Sequence, residues 1–140
     1  MGSERATPPS DAAIAAQETA FARAFAAGDL RGVRDLYDPY VVYRSPTVRL
    51  FGWPQRIEGV ERTLEFIALT IRRCAAIGYR ALEHAVVAGS DAVFVRIEFD
   101  WTAGERRLRS TYVVRYRYRA GLIIEQDLYY DPSAPPDVLA

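Results

Sequence analysis

Two carboxylates two residues apart, Glu98 and Asp100, have the residue type for acid–base work, and their spacing puts them on one face of a strand. A two-residue turn at Ala103-Gly104 sets Asp100 opposite Arg107 and Glu98 opposite Arg109. Carboxylates faced by arginines form a cross-strand charge ladder, each pair worth about 0.2–1 kcal/mol, and need no catalytic role. Asp127 and Asp131 have the chemistry of metal ligands, but no His, Cys or third carboxylate completes a set, so no metal is expected. The Tyr–Arg alternation over 112–119 has the residue types of a base-stacking surface. With 18 basic residues, all arginine, against 18 acidic ones, the chain lacks the positive field that favours nucleic acid. Alternating strand faces account for the pattern.

The turns sort the strands into two faces, because side chains alternate and the turn sets the register. A three-residue turn at Arg119-Ala120-Gly121 places Arg115 opposite Glu125 and Val113 opposite Asp127. One face then carries Arg96, Glu98, Asp100, Arg107, Arg109, Arg115, Arg117, Glu125, Asp127 and Asp131. The other carries Val93 through Trp101 at alternate positions, then Leu108, Ser110, Tyr112, Val114, Tyr116, Leu122, Ile124, Gln126, Leu128 and Tyr130. A turn at Gly89-Ser90 adds Leu82, His84 and Val86 to it. A mostly apolar face with a few polar groups is what small-molecule pockets are built from. His84 is the only histidine, the side-chain type that titrates nearest neutrality, and is the candidate acid/base. A core histidine bonded to a tyrosine, or one at the sheet edge, is the competing reading. Tyr112 and Tyr130 are candidate stabilisers of developing negative charge, and Trp101, Ser110, Gln126 and Leu128 candidate ligand contacts. Arg44 shares the parity of Val42; inward it would clamp a carboxylate or enolate, outward it is one more exposed arginine.

These residues need elements to position them. Residues 1–10, with Pro8-Pro9, form a lead-in expected to be disordered. Ile14, Phe21 and Phe25 line one face of a helix that starts near Ser10 or Asp11 and stops at Gly28. Asp29 caps a short second helix, and residues 40–43 read as a strand ended by Ser45-Pro46. Val60, Leu64, Ile67 and Ile71 recur at helical spacing in a third helix, which Gly78 is expected to close. Four strands follow, over 79–88, 92–102, 106–118 and 122–131, and residues 132–140 leave the fold as a Pro-rich tail. The order predicts a single α+β domain over 11–131. Half of the 140 residues are apolar and 26% are charged, an ordinary globular balance. No apolar run reaches the roughly 18 residues of a membrane span, no leader pattern is seen, and the lone Cys74 has no internal disulfide partner. A cytoplasmic protein without membrane or nucleic-acid partners is expected.

Three stretches carry a family resemblance: Asp35-Leu36-Tyr37-Asp38-Pro39-Tyr40-Val41-Val42-Tyr43-Arg44-Ser45-Pro46, Ile57-Glu58-Gly59-Val60-Glu61, and Gly121-Leu122-Ile123-Ile124-Glu125 leading to Tyr129-Tyr130-Asp131. With the element order, they resemble the nuclear transport factor 2-like superfamily, which includes ketosteroid isomerase, limonene-type epoxide hydrolase and the SnoaL-like polyketide cyclases. The resemblance implies a cone: a curved mixed sheet, mostly antiparallel, wrapped around three helices, with a pocket between them and dimerisation through the sheet. It implies the family's catalytic positions less directly. Ser45 stands where the isomerases place their base carboxylate. Ile97 and Phe99 stand where the hydrolases place an arginine and an aspartate, Leu128 where they place a second aspartate, and Arg44 where an asparagine holds their water.

The expected function is binding of a small apolar or polycyclic molecule by a homodimer. If it is catalytic, the chemistry is cofactor-free isomerisation, cyclisation or dehydration with His84 as acid/base. One alternative is an epoxide-hydrolase-like enzyme using Arg96, Glu98 and Asp127, which requires those residues to face inward. Another is a non-catalytic ligand-binding or dimerisation module.

Overall fold

The computed structural model describes residues 7–139, so most of the expected lead-in lies outside the described residues. Helix α1 (Asp11–Ala27) starts where the Ser10 hydroxyl accepts from the Ala13 amide at 3.1 Å and stops at Gly28 in the left-handed region. A single turn, α2 (Arg31–Arg34), follows, with the Asp29 carboxylate accepting from the Arg31 amide at 3.0 Å. Strand β1 (Tyr37–Arg44) runs into a 3₁₀ turn at Pro46–Phe51 and short β2 (Arg56–Glu58). Helix α3 (Val60–Arg73) leads to β3 (Ala75–Val86), β4 (Ala92–Ala103), β5 (Arg106–Arg119), β6 (Leu122–Tyr129) and β7 (Asp137–Val138). The seven strands make one sheet in the order β2-β1-β6-β5-β4-β3, with β7 also on β5. Only β1 and β6 run parallel; the other pairs are antiparallel. The chain is one α+β domain, a curved open sheet with the helices on its inner face.

The third helix ends at Arg73, five residues short of the expected stop at Gly78. Gly78 serves the strand instead. It pairs with Asp100 of β4, and a Cβ at that position would lie 2.4 Å from the Asp100 carboxylate. The glycine marks a close approach rather than a cap.

Both hairpin registers differ from expectation by two residues, an even number, so the faces survive. Asp100 pairs with Arg109 across a turn at Gly104-Glu105, and Arg117 with Glu125. The β5–β6 turn is the two-residue Ala120-Gly121, both at positive φ. Alone it would have put Glu125 and Asp127 inside. A bulge between Arg117 and Tyr118 restores the parity, with the result that Ile123, not Ile124, is fully buried on the inner face.

The inner face packs Val93, Val95, Ile97, Val114, Tyr116 and Ile123 against Ile14, Phe21, Leu64 and Ile67 of the helices. Burying each such side chain contributes about 1.5–3 kcal/mol. A smaller cluster of Tyr43, Val48, Ile57 and Phe66, with Phe51 and Trp53 against it, supports one end of the domain. On the outer face the expected charge ladder is present. Arg107 meets Asp100 at 2.7 Å, Arg109 meets Glu98 at 3.4 Å, and Arg117 meets Glu125 at 3.0 Å.

The Pro-rich end does not leave the fold, contrary to expectation. The chain departs the sheet after Tyr129 and returns as β7, which takes the side of β5 that β6 occupies farther along. Leu108 pairs with Val138 and Arg109 with Asp137, and the Leu139 amide donates to the Arg107 carbonyl at 2.9 Å.

Candidate functional site

The excursion between β6 and β7 closes one wall of a cavity of about 280 Å³ on the inner face. Such a volume is close to the lower end of the roughly 300–1,000 Å³ of small-molecule pockets. Phe66, Ile67 and Thr70 of α3 form one side, Phe99, Trp101, Ser110, Tyr112 and Leu128 of the sheet another, and Pro132, Ala134 and Pro136 the excursion's wall. Aromatic packing stiffens it: Trp53 stacks on Phe66 at 5.4 Å, Tyr43 meets the same ring edge-on, and Tyr112 lies 5.6 Å from Tyr130.

Most of its polar groups are hydroxyls. Ser45, at the end of β1, lies 3.4 Å from the Tyr130 hydroxyl, and Tyr43 also directs its phenol toward Ser45. Burial pushes the phenols of Tyr43, Tyr112 and Tyr130 up, so all three stay protonated donors near neutrality. Among the described residues the Tyr112 hydroxyl has no hydrogen-bond partner. Asp131 is at the mouth, not on the outer face as expected; its Oδ1 accepts from the Ser133 amide and hydroxyl, which hold the carboxyl below its ordinary value.

Five of the eight expected site residues meet here: Trp101, Ser110, Tyr112, Leu128 and Tyr130. Three do not. Gln126 is buried beneath, accepting from the Tyr37 hydroxyl. Arg44 takes the outward alternative, 3.0 Å from Asp127 on the charged face. His84 keeps the inner-face parity opposite Val95, but β3 is the edge strand and the imidazole lies at its rim, 2.8 Å from Asp11 of α1. It lines a different groove, so it is no acid/base for the cavity. The inward set of the hydrolase-like alternative is likewise corrected. Arg96 pairs with Glu83, Glu98 with Arg80, and Asp127 with Arg44 and Arg115, all on the outer face.

Sequence reasoning missed Tyr43 and marked Ser45 only as the position of the isomerases' carboxylate, although Val41, Tyr43 and Ser45 alternate into the interior. It also missed Glu18, which is only 5% exposed. Glu18 stands in the apolar stripe of α1 with Ile14, Phe21 and Phe25, and a carboxylate in such a stripe was the available signal. Its oxygens accept from Tyr79 at 2.6 Å, Gln17 at 2.9 Å and Tyr116 at 3.3 Å. Burial raises its carboxyl above the ordinary value despite those donors. Among the described residues, no group of three His, Cys, Asp or Glu forms a metal site.

Residues 19–126 match the SnoaL-like domain family. Among solved structures, a candidate isomerase from Bacillus subtilis is 20% identical, with a TM-score of 0.71 over 86% of this chain and 88% of that one. A Catenulispora acidiphila protein with a ketosteroid isomerase-like fold, in complex with trimethylamine, is 16% identical (TM-score 0.69, 91% and 89% covered). TerC, co-crystallised with polyporic acid, is 16% identical, with a TM-score of 0.70 over 85% and 92% of the two chains. At these identities the likeness is one of fold. No curated protein matches the chain.

Proposed function

The chain belongs to the SnoaL-like domain family, of nuclear transport factor 2-like fold, and from that premise we propose that it binds an apolar, ring-bearing small molecule in the cavity between α3 and the sheet. The observation that carries the reading is the cavity's make-up: aromatic and aliphatic walls, with polar groups limited mainly to hydroxyls. Tyr112 and Tyr130 donate to one oxygen of the ligand, a carbonyl or phenol, and Trp101, Ser110 and Leu128 line its rings. Because both phenols stay protonated, the reaction they favour is one that builds negative charge on that oxygen. Isomerisation and cyclisation without a cofactor are of this type.

Polyporic acid and a ketosteroid are suitable first probes, followed through tryptophan emission, since Trp101 lines the cavity. Saturable binding is expected for at least one. Tyr130→Phe should weaken it about fivefold, the loss of one neutral hydrogen bond of about 1 kcal/mol. Leu128→Trp, which fills the cavity, should abolish it in a protein that still folds. Binding indifferent to Leu128→Trp, or no binding of either probe, would overturn the reading.

A further inference from the structure

A second depression lies between α1 and β3, about 390 Å³ in volume and open to solvent along the sheet edge. Ala22 and Leu82 form apolar walls above the buried Ile14 and Val95, and Glu18 and His84 are among its polar groups. The charges around it show an imbalance. Five acidic side chains are buried among the described residues: Glu18, Asp38, Asp91, Asp100 and Asp127. Each aspartate has an arginine, Asp38 with Arg119 at 3.1 Å, Asp91 with Arg117 at 3.0 Å, Asp100 with Arg107 at 2.7 Å and Asp127 with Arg44 at 3.0 Å. Glu18 alone has neutral donors only, those of Gln17, Tyr79 and Tyr116.

The other charged groups at the groove are engaged elsewhere. Arg80 pairs with Glu98 at 3.2 Å, Glu83 with Arg96 at 2.9 Å, and His84 with Asp11 at 2.8 Å. His84 acts on the Glu18 carboxyl only as the smallest of the influences on it. An ionised carboxylate buried without a counter-charge is costly, and a cation that reaches it removes the cost. Three donors orient this carboxylate, two on Oε2 and one on Oε1. A carboxylate has about four acceptor positions, so one stays open for a further donor.

We propose that this groove is a second ligand site, which takes a protonated aliphatic amine with its ammonium on Glu18 and its alkyl chain along Ala22 and Leu82. The carboxylate supplies the charge, the tyrosines set its orientation, and the apolar walls select a short alkyl chain over a bare cation. The site is independent of the cavity under α3.

The test is calorimetric titration of the full chain with n-butylammonium chloride near neutral pH, with 1-butanol as the neutral control. Saturable binding of the amine and none of the alcohol is expected. Glu18→Gln, which keeps the shape and removes the charge, should weaken amine binding about tenfold or more, whereas Tyr130→Phe in the other cavity should leave it unchanged. Amide chemical-shift changes should map to α1 and β3. Absence of saturable binding, equal affinity in a folded Glu18→Gln protein, or loss with Tyr130→Phe would overturn the proposal.

Discussion

Glu18 shows how one side chain can place a functional constraint inside a core. Its neighbours in the stripe of α1 are apolar, and it stays buried because Gln17, Tyr79 and Tyr116 hydrogen-bond it. Burial raises its carboxyl above the ordinary 4.5. A carboxyl raised in the folded state adds stability that is complete below the unfolded value and lost as pH rises through the folded one. Urea midpoints of the wild type should therefore fall between mildly acidic and neutral pH more steeply than those of Glu18→Gln. The variant should be the more stable of the two at neutral pH, with the advantage vanishing in acid. Parallel profiles would show that Glu18 ionises in the folded protein as it does in the unfolded chain.

At the level of elements, β6 and β7 divide one side of β5 between them, and the segment joining them is a wall of the cavity. Two ladder pairs and one hydrogen bond donated by the Leu139 amide anchor β7, a small hold compared with the long β4–β5 ladder. Deleting residues 132–140 should leave the core intact, since the buried clusters lie elsewhere. It should open the cavity and weaken probe binding by about tenfold, through lost burial of one ligand face. The check is circular dichroism for the fold beside tryptophan emission for binding. Unchanged affinity in the truncated chain would show that the wall does not touch the ligand.

For the whole molecule, the outer face couples a charge ladder with a small uncharged patch. Val113 and Tyr129 are directly paired and so share that face, and Tyr129 is 54% exposed. A homodimer packed through this sheet face is the assembly we propose, with Tyr129 at its centre. Light scattering across a micromolar dilution series should give twice the chain mass, and Tyr129→Glu should shift the protein toward monomer by placing an unpaired charge in the contact. A monomeric wild type throughout the series would end the proposal.

The local code was sufficient for most of the scaffold. Helical spacing in Val60, Leu64, Ile67 and Ile71, the cap at Ser10, and alternation along β4 and β5 depend on residues a few positions apart, and each element formed where those patterns lie. Face assignment survived because both register errors were even. What the sequence could not decide was depth and neighbourhood. His84 has the right parity, yet strand order puts it on the edge, and Arg44 followed a parity whose sign only the sheet could set. Gly78 looks like a helix stop until Asp100, far along the chain on β4, is seen to occupy the space its side chain would fill. Glu18 meets Tyr79 and Tyr116 across separations of 61 and 98 residues. Contacts of that range leave no periodicity in the chain, because they are created by the closing of the sheet over α1, and tertiary structure alone decides them.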